Sequence, residues 1–142
     1  MGQQNPTVMI SLGGNAISPK NESGTIQQQF AHTKESLAAV MGFVKRRYNI
    51  CIAHGNGPQV GAELQRNELT QNVIPPLPLG VLVANTQGAI GYMIQQSLQN
   101  ALYKEDANRE VVSIISQVKV DKNDPELMDP KKYIGKSYNK ET

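Results

Sequence analysis

The chain has 142 residues, 18% of them charged, a formal net charge of +2 and one cysteine. That length is one domain's worth and is enough to bury a real core. The charge is too small to point to nucleic acid or an acidic membrane as partner, and no apolar run reaches the ~18 uninterrupted residues of a membrane span.

Residues 1–6 lack the basic and apolar pattern of a signal peptide. Gly2 falls short of a lipidation signal, because Pro6 stands where serine or threonine is required. The first strand is expected at Thr7–Leu12, apolar nearly throughout, as suits a strand covered on both faces. It ends in Gly13-Gly14-Asn15-Ala16, and residues 13–25 read as a loop rich in turn formers. A long helix is expected over residues 26–47, where Phe30, Leu37, Val40, Met41 and Val44 recur at helical spacing. His32 on this helix reads as a solvated or capping residue. Lys45-Arg46-Arg47 suits the negative end of a helix dipole.

A second strand is expected over residues 48–54. Cys51 lies in it and cannot form an internal disulfide. Its apolar neighbours favour a small buried hydrophobe over a reactive thiol, which fits a reducing, cytoplasmic setting. The strand runs into His54-Gly55-Asn56-Gly57-Pro58-Gln59-Val60-Gly61. Gly55 and Gly57 permit positive φ and a close ligand. Pro58 suits the first helical position. The free N–H groups opening the next helix make an anion site for phosphate or carboxylate. No Gly-Lys-Ser/Thr follows, so the loop is not a Walker A loop. Ligands of open parallel sheets sit beyond the carboxyl ends of strands, so two glycine-asparagine loops there would line one crevice.

The helix after this turn should reach about Thr70. Residues 72–80, with Pro75, Pro76 and Pro78, form a connector. A second long helix is expected over 81–103, apolar nearly all round in its first half and therefore buried. Gly88 and Gly91 weaken it by about 1 kcal/mol each relative to alanine, which close approach of a neighbouring helix would explain. A third strand is expected over 110–117. The order βαβαβ gives an α/β fold with a mainly parallel sheet and helices on both faces. The polar remainder, 118–142, has little to bury.

The segments Gly13-Gly14-Asn15-Ala16-Ile17 and His54-Gly55-Asn56-Gly57-Pro58-Gln59-Val60-Gly61 resemble the signature loops of the carbamate kinases, in the amino acid kinase superfamily. Thr86-Gln87-Gly88 with Ile90-Gly91-Tyr92 is a third match. A looser fourth runs from Asp121 through Asn123-Asp124-Pro125 to Pro130-Lys131-Lys132-Tyr133-Ile134-Gly135. The resemblance covers nearly the whole chain but only the N-terminal half of the family's length. It implies a three-layer αβα sandwich, with residues 1–117 binding carbamate and phosphate and 118–142 opening a small protruding subdomain. The nucleotide-binding C-terminal half is not in this sequence.

The resemblance implies reversible phosphoryl transfer between ATP and carbamate, giving ADP and carbamoyl phosphate, in arginine breakdown and ATP generation. Phosphoryl transfer depends on positioning and charge stabilisation. Carbamate is already an anion and needs no general base, which leaves His54 a packing role. The N–H groups of Gly13, Gly14 and Asn15 are expected to hold the transferred phosphoryl group or its neighbour. Gly55, Asn56 and Gly57 are expected to hold the carbamate end, with Asn15 and Asn56 donating to developing negative charge. Lys132 aligns with the lysine that the family brings from the protruding subdomain. Where the family has Thr-Lys-Pro-Ile-Gly this chain has Lys131-Lys132-Tyr133-Ile134-Gly135, so Lys131 is the alternative. No metal ligand is assigned within this chain. ATP or ADP with Mg2+ would be held mainly by the other half, and a homodimer is implied. Alone, the chain should bind anions weakly and not turn over. The alternatives are an acetylglutamate, glutamate or nucleoside monophosphate kinase, and a short non-catalytic module that binds anions or dimerises.

Overall fold

Among the described residues, two strands and six helices follow from the local patterns. They are β1 (Thr7–Leu12), α1 (Gly14–Ile17), α2 (Ile26–Ala38), α3 (Val40–Lys45), β2 (Asn49–His54), α4 (Gly57–Thr70), α5 (Leu79–Lys104) and α6 (Pro125–Met128). The structure, a computed structural model, describes residues 5–19, 21–131 and 133–134. The chain divides into two units, one of Met1–Gly55 with Ala89–Ser113, the other of Asn56–Gly88 with Ile114–Thr142.

In the first unit β1 and β2 pair in parallel, in register from Thr7↔Asn49 to Leu12↔His54. This is the α/β arrangement and strand direction expected. Burial alternates along β1, with period two. Ile10, Leu12, Ile50 and Ile52 face a core built with Ile17, Leu37, Val40, Ile90, Met93 and Leu98. The opposite face is exposed: Met9 is 70% accessible and its register partner Cys51 is exposed too. The expectation of a strand covered on both faces and of a buried Cys51 is therefore corrected. The apolar run hid the alternation because Met9 and Cys51, on the outward face, are themselves apolar.

The expected loop at 13–25 contains the short helix α1, and the helix expected over 26–47 is two helices. Thr25 caps α2 with a reciprocal box: its N–H donates to Gln28 Oε1 at 2.9 Å and its Oγ1 accepts from the Gln28 N–H at 3.3 Å. The break comes at Ala39, where Gly42 N–H bonds the Ala39 carbonyl at 3.2 Å in a tightened i−3 turn. α3 ends on Arg47 at φ 61°, with Arg47 N–H on Val44 O and Tyr48 N–H on Phe43 O. That is the Schellman pattern with arginine in glycine's usual place. α5 ends the same way on Asp106 at φ 51°, with Asp106 N–H on Tyr103 O and Ala107 N–H on Leu102 O. Lys45 and Glu105 join the two helix ends at 2.9 Å. Both are half-exposed, so the pair adds at most about 1 kcal/mol.

Residues 110–117 are not a strand, and the sheet has two strands among the described residues. Side chains of α5 occupy backbone groups near both ends of this segment, at Val111 and Ser116, that a strand would offer a neighbour. Gln99 donates to Arg109 O at 3.1 Å and accepts from Val111 N–H at 3.0 Å. Gln95 donates to Val111 O at 3.0 Å. Nor does a helix explain Gly91: the segment at Ser113 does, 3.1 Å from where a Gly91 Cβ would stand.

In the second unit α4 starts after Asn56 with Pro58 in its first turn. Val60 and Leu82 are each 1% exposed. Residues 79–88 of α5 belong here and are less buried than expected, since Val81 is 42% exposed. Asn67 grips the proline-rich connector at both polar groups of Leu77, donating to its carbonyl at 2.7 Å and accepting its N–H at 3.2 Å. Leu69, Val73 and Ile74 are left largely exposed.

Candidate functional site

Two of the predicted loops meet within the first unit. Register brings the carboxyl ends of β1 and β2 side by side. Gly55 N–H extends the ladder by donating to Leu12 O at 3.2 Å. A Cβ on Gly55 would lie 3.8 Å from Gly14 N, an ordinary contact. Gly13–Asn15 and Gly55 thus share one strand-end edge, as expected of ligand loops in parallel sheets.

The Gly55 donor is spent on the strand pair. The donors that remain are at the start of α1. Gly13 is its extended N-cap, at φ −68° and ψ 154°, and the first turn closes with Ala16 N–H on Gly13 O at 2.9 Å. The N–H groups of Gly14 and Asn15 precede that bond and have no helical acceptor. Ile17, fully buried, anchors the turn in the core.

None of Gly13, Gly55 or Gly57 needs a left-handed backbone; among the described glycines only Gly24 has positive φ, +66°. A Cβ built at Gly13 or Gly57 meets nothing within 4 Å among the described residues. Gly55 and Gly57 permit positive φ but do not use it. These glycines keep the loop surface clear.

Of the two histidines, only His32 is placed differently from expectation. His54 is half-buried and donates from Nδ1 to the Gly55 carbonyl at 3.3 Å. His32 is neither solvated nor a cap. Its Nε2 lies 2.9 and 3.0 Å from the two Glu22 oxygens, with both side chains under a third exposed. This pair ties the segment after α1 to α2.

In the second unit Asn56 and Gly57 continue directly from Gly55. The Asn56 amide is occupied: Nδ2 donates to Thr86 Oγ1 at 2.9 Å and to Val83 O at 3.4 Å. Thr86 is 3% exposed, and its hydroxyl donates to Val83 O at 2.9 Å. No role for Thr86 follows from its residue type alone; the motif Thr86-Gln87-Gly88 is the signal that marks it. Lys132 lies outside the described residues. Lys131 is 72% exposed and sits 3.7 Å from Glu126 and 4.0 Å from Asp129.

Residues 5–19 and 48–62 contain no lysine, arginine, aspartate or glutamate. The loops therefore offer dipoles and clearance, and full charge must come from another segment. Among the described residues no three His, Cys, Asp or Glu side chains cluster as around a metal ion. No helix of the described residues is long and apolar enough to cross a membrane.

No protein-family model matches the chain. Single relatives do. A carbamate kinase of Pyrococcus horikoshii is 41% identical over 137 residues, 95% of this chain and 44% of the relative. A carbamate kinase of Thermococcus kodakarensis is 42% identical over 138 residues, again 95% and 44%. Among solved structures, carbamate kinase from Giardia lamblia bound to AMP-PNP superposes with a TM-score of 0.89 at 33% identity, over 96% of this chain and 43% of that one. The chain thus spans less than half the length of the relatives it matches. In sequence and in fold, nearly all of this chain matches the N-terminal part of the carbamate kinases.

Proposed function

We propose that the protein containing this chain is a carbamate kinase. A carbamate oxygen attacks the γ-phosphorus of ATP, the bond to the β–γ bridging oxygen breaks, and carbamoyl phosphate and ADP form; the reverse makes ATP. The observation that carries this reading is the strand-end edge where Gly13–Asn15 meets Gly55, with no Cβ at Gly13, Gly14 or Gly55 to obstruct an anion and free N–H groups at Gly14 and Asn15. Those two N–H groups hold the phosphoryl group, with clearance from Gly13. Gly55 and Gly57 give the carbamate end clearance, and the Gly57 N–H is its donor. Asn56 shapes that loop through Thr86. Because the loops carry no charge, Lys132 supplies the cation, with Lys131 as the alternative.

ATP is the proposed phosphoryl donor; the Giardia relative is described as bound to AMP-PNP. Mg2+ is proposed as its counter-ion. The described residues hold no carboxylate cluster for it, and no step assigned to this chain passes through it. Residues 118–142 are proposed to open a protruding subdomain. We further propose a cytoplasmic homodimer serving arginine breakdown. The supporting observation for the dimer is the exposed apolar surface at Leu69, Val73 and Ile74, within a stretch, 69–103, that has no charged residue.

The test is ATP formation from ADP and carbamoyl phosphate. The native protein should form ATP and discriminate against acetylglutamate, glutamate and nucleoside monophosphates. The 142-residue chain alone should bind carbamoyl phosphate weakly and form none. Failure of the native protein to make ATP, or a preference for another acceptor, would overturn the assignment.

A further inference from the structure

We infer that Thr86 and Gln87 are positioning residues that fix the Asn56–Gly57 loop and the segment at Ser116. The inference deepens the carbamate kinase reading and rests on it for what the loop receives. Two consecutive residues engage two different groups of the second unit. Thr86 accepts the Asn56 amide at 2.9 Å. Gln87 makes a two-point grip on one residue's backbone, donating to Ser116 O at 3.3 Å and accepting Ser116 N–H at 2.9 Å.

The Thr86 hydroxyl is the critical group. It is buried and has one proton, which goes to Val83 O at 2.9 Å. Its oxygen therefore faces Asn56 as an acceptor, and only a donor can satisfy it there. Asn56 meets this need and spends its amide hydrogens on Thr86 and Val83. Asn56 is also the N-cap of α4, yet its side chain makes no cap bond. Its side chain is thus diverted from the usual capping role to hold the loop against α5. The Gly57 N–H, the first of α4, remains for a ligand, and Pro58 after it has no N–H. Asn56 and Thr86 then act on the substrate through the backbone.

The experiment uses the 15N-labelled chain with carbamoyl phosphate as probe. In the unsubstituted chain the Asn56 side-chain amide protons should exchange slowly. Thr86→Val keeps the shape and removes the hydroxyl. It should speed that exchange, shift the Gly57 backbone amide and weaken carbamoyl phosphate binding by about tenfold or more, the scale of one lost buried hydrogen bond. Thr86→Ser should restore all three. Asn56→Ala should weaken binding as much as Thr86→Val, and combining the two should add nothing further.

Unchanged Asn56 exchange and unchanged binding in Thr86→Val would overturn the inference. So would a Thr86→Ser variant that fails to rescue, since the methyl group would then be what matters. Should Thr86→Val not fold, Asn56→Ala decides, because it leaves the Thr86–Val83 bond in place: wild-type binding there would overturn the inference. If the unsubstituted chain does not bind carbamoyl phosphate while Thr86→Val still frees the Asn56 amide, the positioning role stands and the carbamate kinase reading loses its support.

Discussion

The Ser113 hydroxyl donates to the Gly91 carbonyl at 3.0 Å, inside α5, and its Cβ and Oγ lie 3.1 Å from where a Gly91 Cβ would stand. One residue of an extended segment thus requires a glycine in a helix. Gly88, three residues earlier, has only a 3.9 Å neighbour. Gly88→Ala should therefore raise stability by about 0.5–1 kcal/mol, the helix-propensity gain. Gly91→Ala gains the same propensity but pushes Ser113 away, and should fall short of Gly88→Ala by about 1 kcal/mol or more. Urea denaturation of the two variants side by side measures the difference.

Arg47 holds a left-handed conformation at φ 61° to end α3. Left-handed backbone costs a non-glycine residue roughly 1 kcal/mol. Arg47→Gly should stabilise the protein by about 0.5–1 kcal/mol, despite the added freedom of the unfolded chain. A higher urea midpoint with an unchanged slope is the expected result.

Gly13 and Gly57 separate fold from function. Neither has positive φ, and a Cβ on either meets nothing within 4 Å among the described residues. Gly13→Ala and Gly57→Ala should each change stability by less than about 1 kcal/mol. Each should weaken carbamoyl phosphate binding by about tenfold or more if an anion rests against the loop. Calorimetric titration and thermal melts on the same samples distinguish the two effects. Wild-type binding in both variants would remove these glycines from the site.

The exposed connector predicts self-association. Ile74 is 59% exposed and Val73 85%, so a charge at either should not disturb the core. Ile74→Asp should leave the melting temperature of the isolated protomer within about 2 °C while raising the dimer dissociation constant by about tenfold or more. Sedimentation velocity across a concentration series reads this directly.

The lysine assignment is tested in the native protein. Lys132→Ala should lower turnover by well over about tenfold, because a cation opposite the transferred phosphoryl acts mainly in the transition state. Lys131, solvent-exposed beside Glu126 and Asp129, should tolerate alanine with less than about a threefold change if Lys132 is the one engaged. A reversal of the two effects would transfer the role to Lys131.

Local chemistry was enough to place β1, β2, α4 and α5. Apolar runs ending in glycine, the Pro58 helix start and the proline-rich connector are short-range signals, and they survived folding within a residue or two. The glycine loops were legible for the same reason: the chemistry of a strand-end turn is written in consecutive residues. Tertiary structure decided three other matters. It exposed Cys51, because burial depends on which face of the pair acquires a cover. It left 110–117 out of the sheet, because the glutamines of α5 took backbone groups that a neighbouring strand would otherwise use. It paired the Asn56 amide with Thr86, thirty residues away. Each depends on groups distant in sequence competing for the same donor, acceptor or surface, and only the folded chain settles that competition.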